Sequence, residues 1–151
     1  MRFFFALLVL SLAGCNKPAD VTPPYKPVGD VKHTMNAVLE PAADVIWDSA
    51  GAIITFEGEQ DLAPTTEEGW QAVINSATVV AEAGNLLMMP GRARDNGDWM
   101  EISRGLVEMG EKALAAAEAK DADALFEAGG QLYNVCLSCH QIYWVDQPGR
   151  Y

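Results

Sequence analysis

Cys136-Leu137-Ser138-Cys139-His140, close to the end of the chain, is the grouping of residue types here with the clearest chemistry. C-x-x-C-H is the attachment signature of c-type haem. Cysteines three apart on a helix lie on one face, where each thiol can add to a haem vinyl group, and the adjacent histidine reaches the iron from one side. Three other uses of the same residues are weaker. A thioredoxin-like pair calls for a βαβ setting, which the pattern of the chain lacks. Zinc calls for further ligands, and the chain holds only two histidines. A disulfide between Cys136 and Cys139 would close a small, strained loop.

The elements that position this motif read as helices. Val31, Met35, Val38, Leu39, Ala42, Val45, Ile46, Ser49 and Ile53 form the stripe of an amphipathic helix A. Pro41 removes one backbone bond within it and crowds the carbonyl of Ala37, so a kink or a restart is expected there. Gly51, Gly58 and Pro64 follow as breakers, and Thr65 with Glu68 forms a capping box for helix B. Its stripe of Trp70, Val73, Ile74, Ala77, Ala81 and Gly84 runs to about Leu87. After the turn-rich run from Pro90 to Gly97, Asp98 is placed to cap helix C, whose stripe is Trp99, Ile102, Leu106, Met109 and Ala113. Asp121 is placed to cap helix D, with Leu125, Ala128, Leu132, Cys136 and Cys139 along one side. The expected fold is all-α, an antiparallel up-down-up-down four-helix bundle over residues 31–151.

The beginning of the chain has a different character. Arg2, the apolar run Phe3 to Leu10, and Ala13-Gly14 before Cys15 resemble a bacterial lipoprotein leader. Residues 1–14 are the expected signal peptide, and Cys15 is the expected lipidated N-terminus. Residues 15–30 carry Pro18, Pro23, Pro24 and Pro27 and form a proline-rich tether. These features place the domain in the periplasm, held by lipid to a bacterial membrane. Ten Lys+Arg against 21 Asp+Glu give a formal charge of −11. Such a field repels phosphate backbones, so nucleic acid is not an expected partner.

A C-terminal C-x-x-C-H on the last helix of an acidic four-helix bundle resembles the cytochrome c′ family, including its low-spin, methionine-ligated branch. The resemblance covers about residues 31 to 144. It draws also on Met35 to Trp47 (MNAVLEPAADVIW) and Asn85 to Trp99 (NLLMMPGRARDNGDW). It implies one covalently bound haem c per chain, His140 as proximal ligand, and a haem lying between helices A and D at one end of the bundle. One departure stands out. Many members carry Arg or Lys four residues after the ligand histidine, where this chain has Trp144.

On the other side of the iron, Met35 is the first candidate, since it lies on the inward stripe of helix A and a thioether is a suitable axial ligand. His33 is the rival, but an offset of two residues turns it away from that stripe. Met88 and Met89 are weaker candidates in the connection before helix C. Arg92 and Arg94 are placed to pair with the haem propionates. Trp47, Trp70 and Trp99 fall on inward stripes as core anchors. Two functions of different class follow from these residues: electron transfer through a His/Met-ligated iron without conversion of a substrate, or a high-spin site for a small gas such as nitric oxide, capped by Val38 or Leu39. An accessory subunit of a larger membrane complex is a third, weaker reading. No nucleophile-base arrangement of a hydrolase can be built from His33 and His140, and no enzyme activity is expected. The expected partners are redox proteins with a basic docking face and the membrane through the lipid, with a homodimer left open.

Overall fold

The computed structural model describes residues 24–144. Cys15 and the signal peptide lie outside the described residues, as does the first part of the tether. A helical stretch opens the described domain in three continuous pieces: α1 (Val31–Thr34), a π-helical segment (Met35–Leu39) and α2 (Glu40–Trp47). Asp30 begins it, its carboxylate accepting from the His33 backbone N–H at 2.8 Å. The π segment ends two residues before Pro41, which lies in the first turn of α2. Proline has no N–H to return to the carbonyl four residues back, so the ladder loosens there. The Glu40 N–H instead closes on the Met35 carbonyl, five residues away. The interruption expected at Pro41 therefore takes the form of one wide turn, and the helix continues through it.

The helix ends at Trp47, earlier than the stripe reaching Ile53 suggested. Ala52–Thr55 (β1) and Gly58–Asp61 (β2) pair antiparallel, with Ala52 opposite Asp61 and Thr55 opposite Gly58. Gly51 and Gly58 take positive φ, of 82° and 139°, which lets the chain turn into and within this hairpin. The β-branched run Ile53-Ile54-Thr55 favours strand over helix once those turns bracket it. The domain is thus mostly helical and carries one small two-stranded sheet.

Three helices of equal length follow: α3 (Glu67–Met88), α4 (Asp98–Ala119) and α5 (Ala122–Tyr143). Thr66, one residue beyond the expected cap, accepts from the Gly69 N–H at 3.1 Å and starts α3. Asp95 prepares α4, its Oδ1 accepting from the Gly97 N–H at 2.8 Å and the Trp99 N–H at 3.1 Å. Gly97 is the cap, and Asp98 lies in the first turn. Asp121 caps α5 as expected, accepting from the Ala124 N–H at 2.9 Å. These helices pack against one another around a core in which Ile46, Val73, Val80, Leu125 and Leu132 are fully buried. Trp70 and Trp99 are buried within it.

The closest packing is between α3 and α4, where two glycines let the backbones meet. A Cβ placed on Gly84 would lie 2.7 Å from the Ser103 carbonyl oxygen, and one on Gly110 would lie 2.8 Å from the Ala81 Cα. Backbone cannot yield as a flexible side chain does. Gly110→Ala should therefore destabilise the fold by about 1–3 kcal/mol, the usual cost of overpacking, despite the better helix propensity of alanine. A lowered urea midpoint with an unchanged slope is the expected result.

Candidate functional site

The cap at Asp121 and the burial of Leu125, Ala128 and Leu132 fix the phase of α5. Carried onward, that phase brings Cys136 and Cys139 to the margin of the core, both half-buried and packed against it. Neither is in a disulfide. His140, one residue on, turns toward the exposed edge. Beyond it the end of the helix is held from two sides. The Tyr143 hydroxyl donates to the Asp95 carboxylate, and its ring stands edge-on to Trp99 with centroids 4.9 Å apart. Trp99 in turn donates its indole N–H to the Leu87 carbonyl at 2.8 Å. Through Trp99 and Asp95 the motif is tied to the end of α3 and to the connection before α4.

Burial pushes the Cys136 thiol up to about 11, with the neighbouring Cys139 adding to the effect. The Cys139 thiol is raised by burial as well. Both sulfurs are therefore protonated near neutral pH. A reactive dithiol is the opposite case, with a lowered pKa beside positive charge or at a helix N-terminus. This pair lies near a helix C-terminus, and its electrostatics count against a thioredoxin-like role. Burial also lowers the His140 pKa, opposed by the charge of Glu40, which favours a neutral imidazole with a free nitrogen lone pair. Among the described residues no three His, Cys, Asp or Glu side chains gather into a group that would enclose a metal ion.

The surface beside the imidazole is apolar. Tyr133, Leu137, His140 and Trp144 recur at helical spacing along the exposed side of α5, and Tyr133, Leu137 and Trp144 are 56%, 42% and 39% exposed. The His140 and Trp144 rings meet edge-on with centroids 4.7 Å apart. On the α2 side, Trp47 packs on Gly129, donates its indole N–H to the Gly129 carbonyl at 3.0 Å, and stands 6.4 Å from the Tyr133 ring. The close approach at Gly129 is thus made by Trp47. Two protonated thiols, one neutral imidazole and a contiguous apolar strip fit a planar apolar group held by thioethers on one helix. They do not fit an exposed ionic site.

The remaining candidate residues lie on the first helical stretch and in the connection before α4. Met35 opens the π segment, half-buried, and packs against the same core as Cys136 and Cys139. Leu39 is buried in that core, while Val38 and His33 line a groove formed with the end of α3, in which no residue of α5 takes part. Met89 and Arg92 line the same groove. Arg92 is buried, whereas Arg94 is exposed. Three parts of the site escaped the sequence reading: the Tyr143–Asp95 bond, the Glu40 charge near His140, and the strip of Tyr133, Leu137 and Trp144. The strip had a signal, since those residues repeat every three or four positions, each one residue beyond a position of the inward stripe and so beside it on the helix. The other two join residues far apart in sequence.

The Tyr143–Asp95 bond gives the site a pH signature. It lowers the Asp95 carboxyl, and it raises the Tyr143 hydroxyl to about 12. A lowered carboxyl stabilises above its unfolded value, about 4, and that gain is lost as pH falls through the folded value. A raised phenol stabilises below about 10, and its gain is lost as pH rises through the folded value. Tyr143→Phe should lower the thermal midpoint between those limits and converge with wild type at both extremes. Thermal unfolding of both proteins across that range measures the difference.

No protein-family model matches the chain, and no curated protein and no solved structure matches it either.

Proposed function

We propose that the chain is a membrane-tethered monohaem c-type cytochrome of cytochrome c′ type, an up-down-up-down four-helix bundle that carries electrons in the periplasm. The observation that carries this reading is C-x-x-C-H on α5, with two half-buried protonated thiols and a neutral imidazole beside an exposed apolar strip. The bundle topology is supported by the tight connection from Ala119 to Ala122 between α4 and α5 and by the pairing of α2 with α5. Glu40 lies near His140, and Trp47 lies on Gly129, so the two helices run in opposite directions.

When bound, haem supplies one-electron chemistry at iron between the ferrous and ferric states. The chain's own residues do the rest. The Cys136 and Cys139 sulfurs would hold the group through thioethers, and the His140 imidazole would offer its lone pair from the α5 side. Tyr143, Asp95 and Trp99 hold that helix end in place. Tyr133, Leu137 and Trp144 would offer the bound group an apolar surface. Met35 is the proposed ligand from the first helical stretch, because Leu39 is committed to the core and both Val38 and His33 to the groove along α3. A π turn beginning at Met35 suits this role, since such turns occur frequently at functional sites. Arg92 and Arg94 are the proposed partners of the propionates.

The second reading, a gas-binding site, requires an apolar residue over the iron in place of a sulfur. The optical spectrum separates the two. Wild type should be low-spin and six-coordinate, and Met35→Ala should become high-spin and bind carbon monoxide much faster. A high-spin wild type unchanged by the substitution removes the electron-carrier reading and favours gas binding.

The tether is proposed to end in a lipid at Cys15. Two or more acyl chains anchor stably, and residues 24–30 contribute no buried side chain, so release should leave the fold intact. Cys15→Ser should move the protein from the membrane to the soluble fraction with an unchanged unfolding midpoint. Retention of the variant on membranes would contradict the anchor. With −11 on the chain, basic faces are the docking surfaces expected of its redox partners.

A further inference from the structure

A groove of about 290 Å³ lies between residues 26–28, the first helical stretch and the end of α3. Its apolar walls include Val38, Leu86 and Met89, and its charged or titratable side chains are Lys26, His33 and Arg92, with no carboxylate among them. That composition is unusual in a chain of charge −11.

Arg92 is the singular feature. It is only 6% exposed. Its Nη2 donates to the Val28 carbonyl at 3.0 Å, and its Nη1 has only the Met89 sulfur, a weak acceptor, at 3.7 Å. Nε is buried without any partner among the described residues. None of the ion pairs among the described residues involves Arg92. A buried guanidinium without an anion is costly, since its lost hydration is not replaced. The Nε edge of a guanidinium is also one that a carboxylate can engage with two parallel bonds.

We propose that this groove binds a carboxylate carried on a short apolar body, with Arg92 as its charge partner. Lys26 and His33 add donors, and Val38, Leu86 and Met89 cover the apolar part. A single buried charge suits a monoanion better than a phosphate dianion, which needs more donors. The volume admits roughly ten water-sized groups, enough for a short-chain acid or for the arm of a larger molecule. Two sources share this chemistry: a free monocarboxylic acid, and a propionate of the protein's own haem. The second rests on the haem reading above, and the first does not.

Titration calorimetry of the holoprotein with hexanoate, using hexanol as the uncharged control, is paired with the pH dependence of the haem midpoint potential. For a free acid, hexanoate binds saturably, hexanol does not, and Arg92→Gln weakens hexanoate at least tenfold. For a propionate, hexanoate fails to bind wild type, and Arg92→Gln moves the titration of the potential to higher pH, because a carboxylate that loses its cation is easier to protonate. Should Arg92→Gln not fold, Arg92→Lys keeps the charge but not the fork and serves in its place. Hexanoate binding that is indifferent to residue 92 overturns the proposal. So does the absence of binding together with an unchanged titration. A protein purified without haem would refute the haem reading alone, and the calorimetric arm would then decide the groove by itself.

Discussion

A helix turns about 100° per residue, so the three reactive side chains of C-x-x-C-H cannot share one direction. Once Asp121 caps α5 and Leu125, Ala128 and Leu132 bury its inner stripe, the consequences are fixed. Both thiols fall at the core margin, where burial raises their pKa, and His140 falls at the edge, where an imidazole can still reach a ligand. A slip of one residue in this phase would expose a thiol and bury the histidine. The ties at the helix end serve the same constraint. Trp99 is anchored on the Leu87 carbonyl, Tyr143 stands against Trp99, and Asp95 both accepts from Tyr143 and prepares the start of α4. The start of one helix and the end of another are thus set by one carboxylate.

The first helical stretch obeys a looser constraint. Pro41 withdraws a donor, the ladder widens over Met35–Leu39, and the chain recovers regular α geometry at Glu40. Its two sides meet different neighbours. Thr34 and Val38 line the groove along α3, while Glu40 and Trp47 act toward α5. Met35 starts the wide turn and is not committed to the groove. The same segment therefore borders both the α5 side, where burial favours a neutral imidazole at His140, and the groove of Arg92, whose cation has no ion pair among the described residues.

Much of this was legible in the sequence because it depends on local periodicity. The inward stripes of three helices, the Asp121 cap, the core role of Trp70 and Trp99 and the disturbance at Pro41 all follow from spacing within a turn or two. The hairpin at 52–61 was misread because Ile53 happens to continue the helical stripe, while the stronger indication was the run of β-branched residues between Gly51 and Gly58. The caps at Thr66 and Gly97 fell one residue from the expected positions, since adjacent threonines and the reach of Asp95 offer alternatives that only the closed turn decides. Arg92 was expected in the connection before helix C as a partner of the haem propionates. Its burial is set by residues 26–28 folding over it, a contact across 64 positions to the Val28 carbonyl that periodicity cannot reveal.

The central claim is that Cys136 and Cys139 are consumed by a haem. It is most directly tested by counting thiols and haem on the same sample of exported, purified protein under denaturing conditions. The expected result is one haem per chain that resists acid-acetone extraction, and no titratable thiol at positions 136 and 139. Two reactive thiols per chain at those positions, with no haem retained after denaturation, would contradict it.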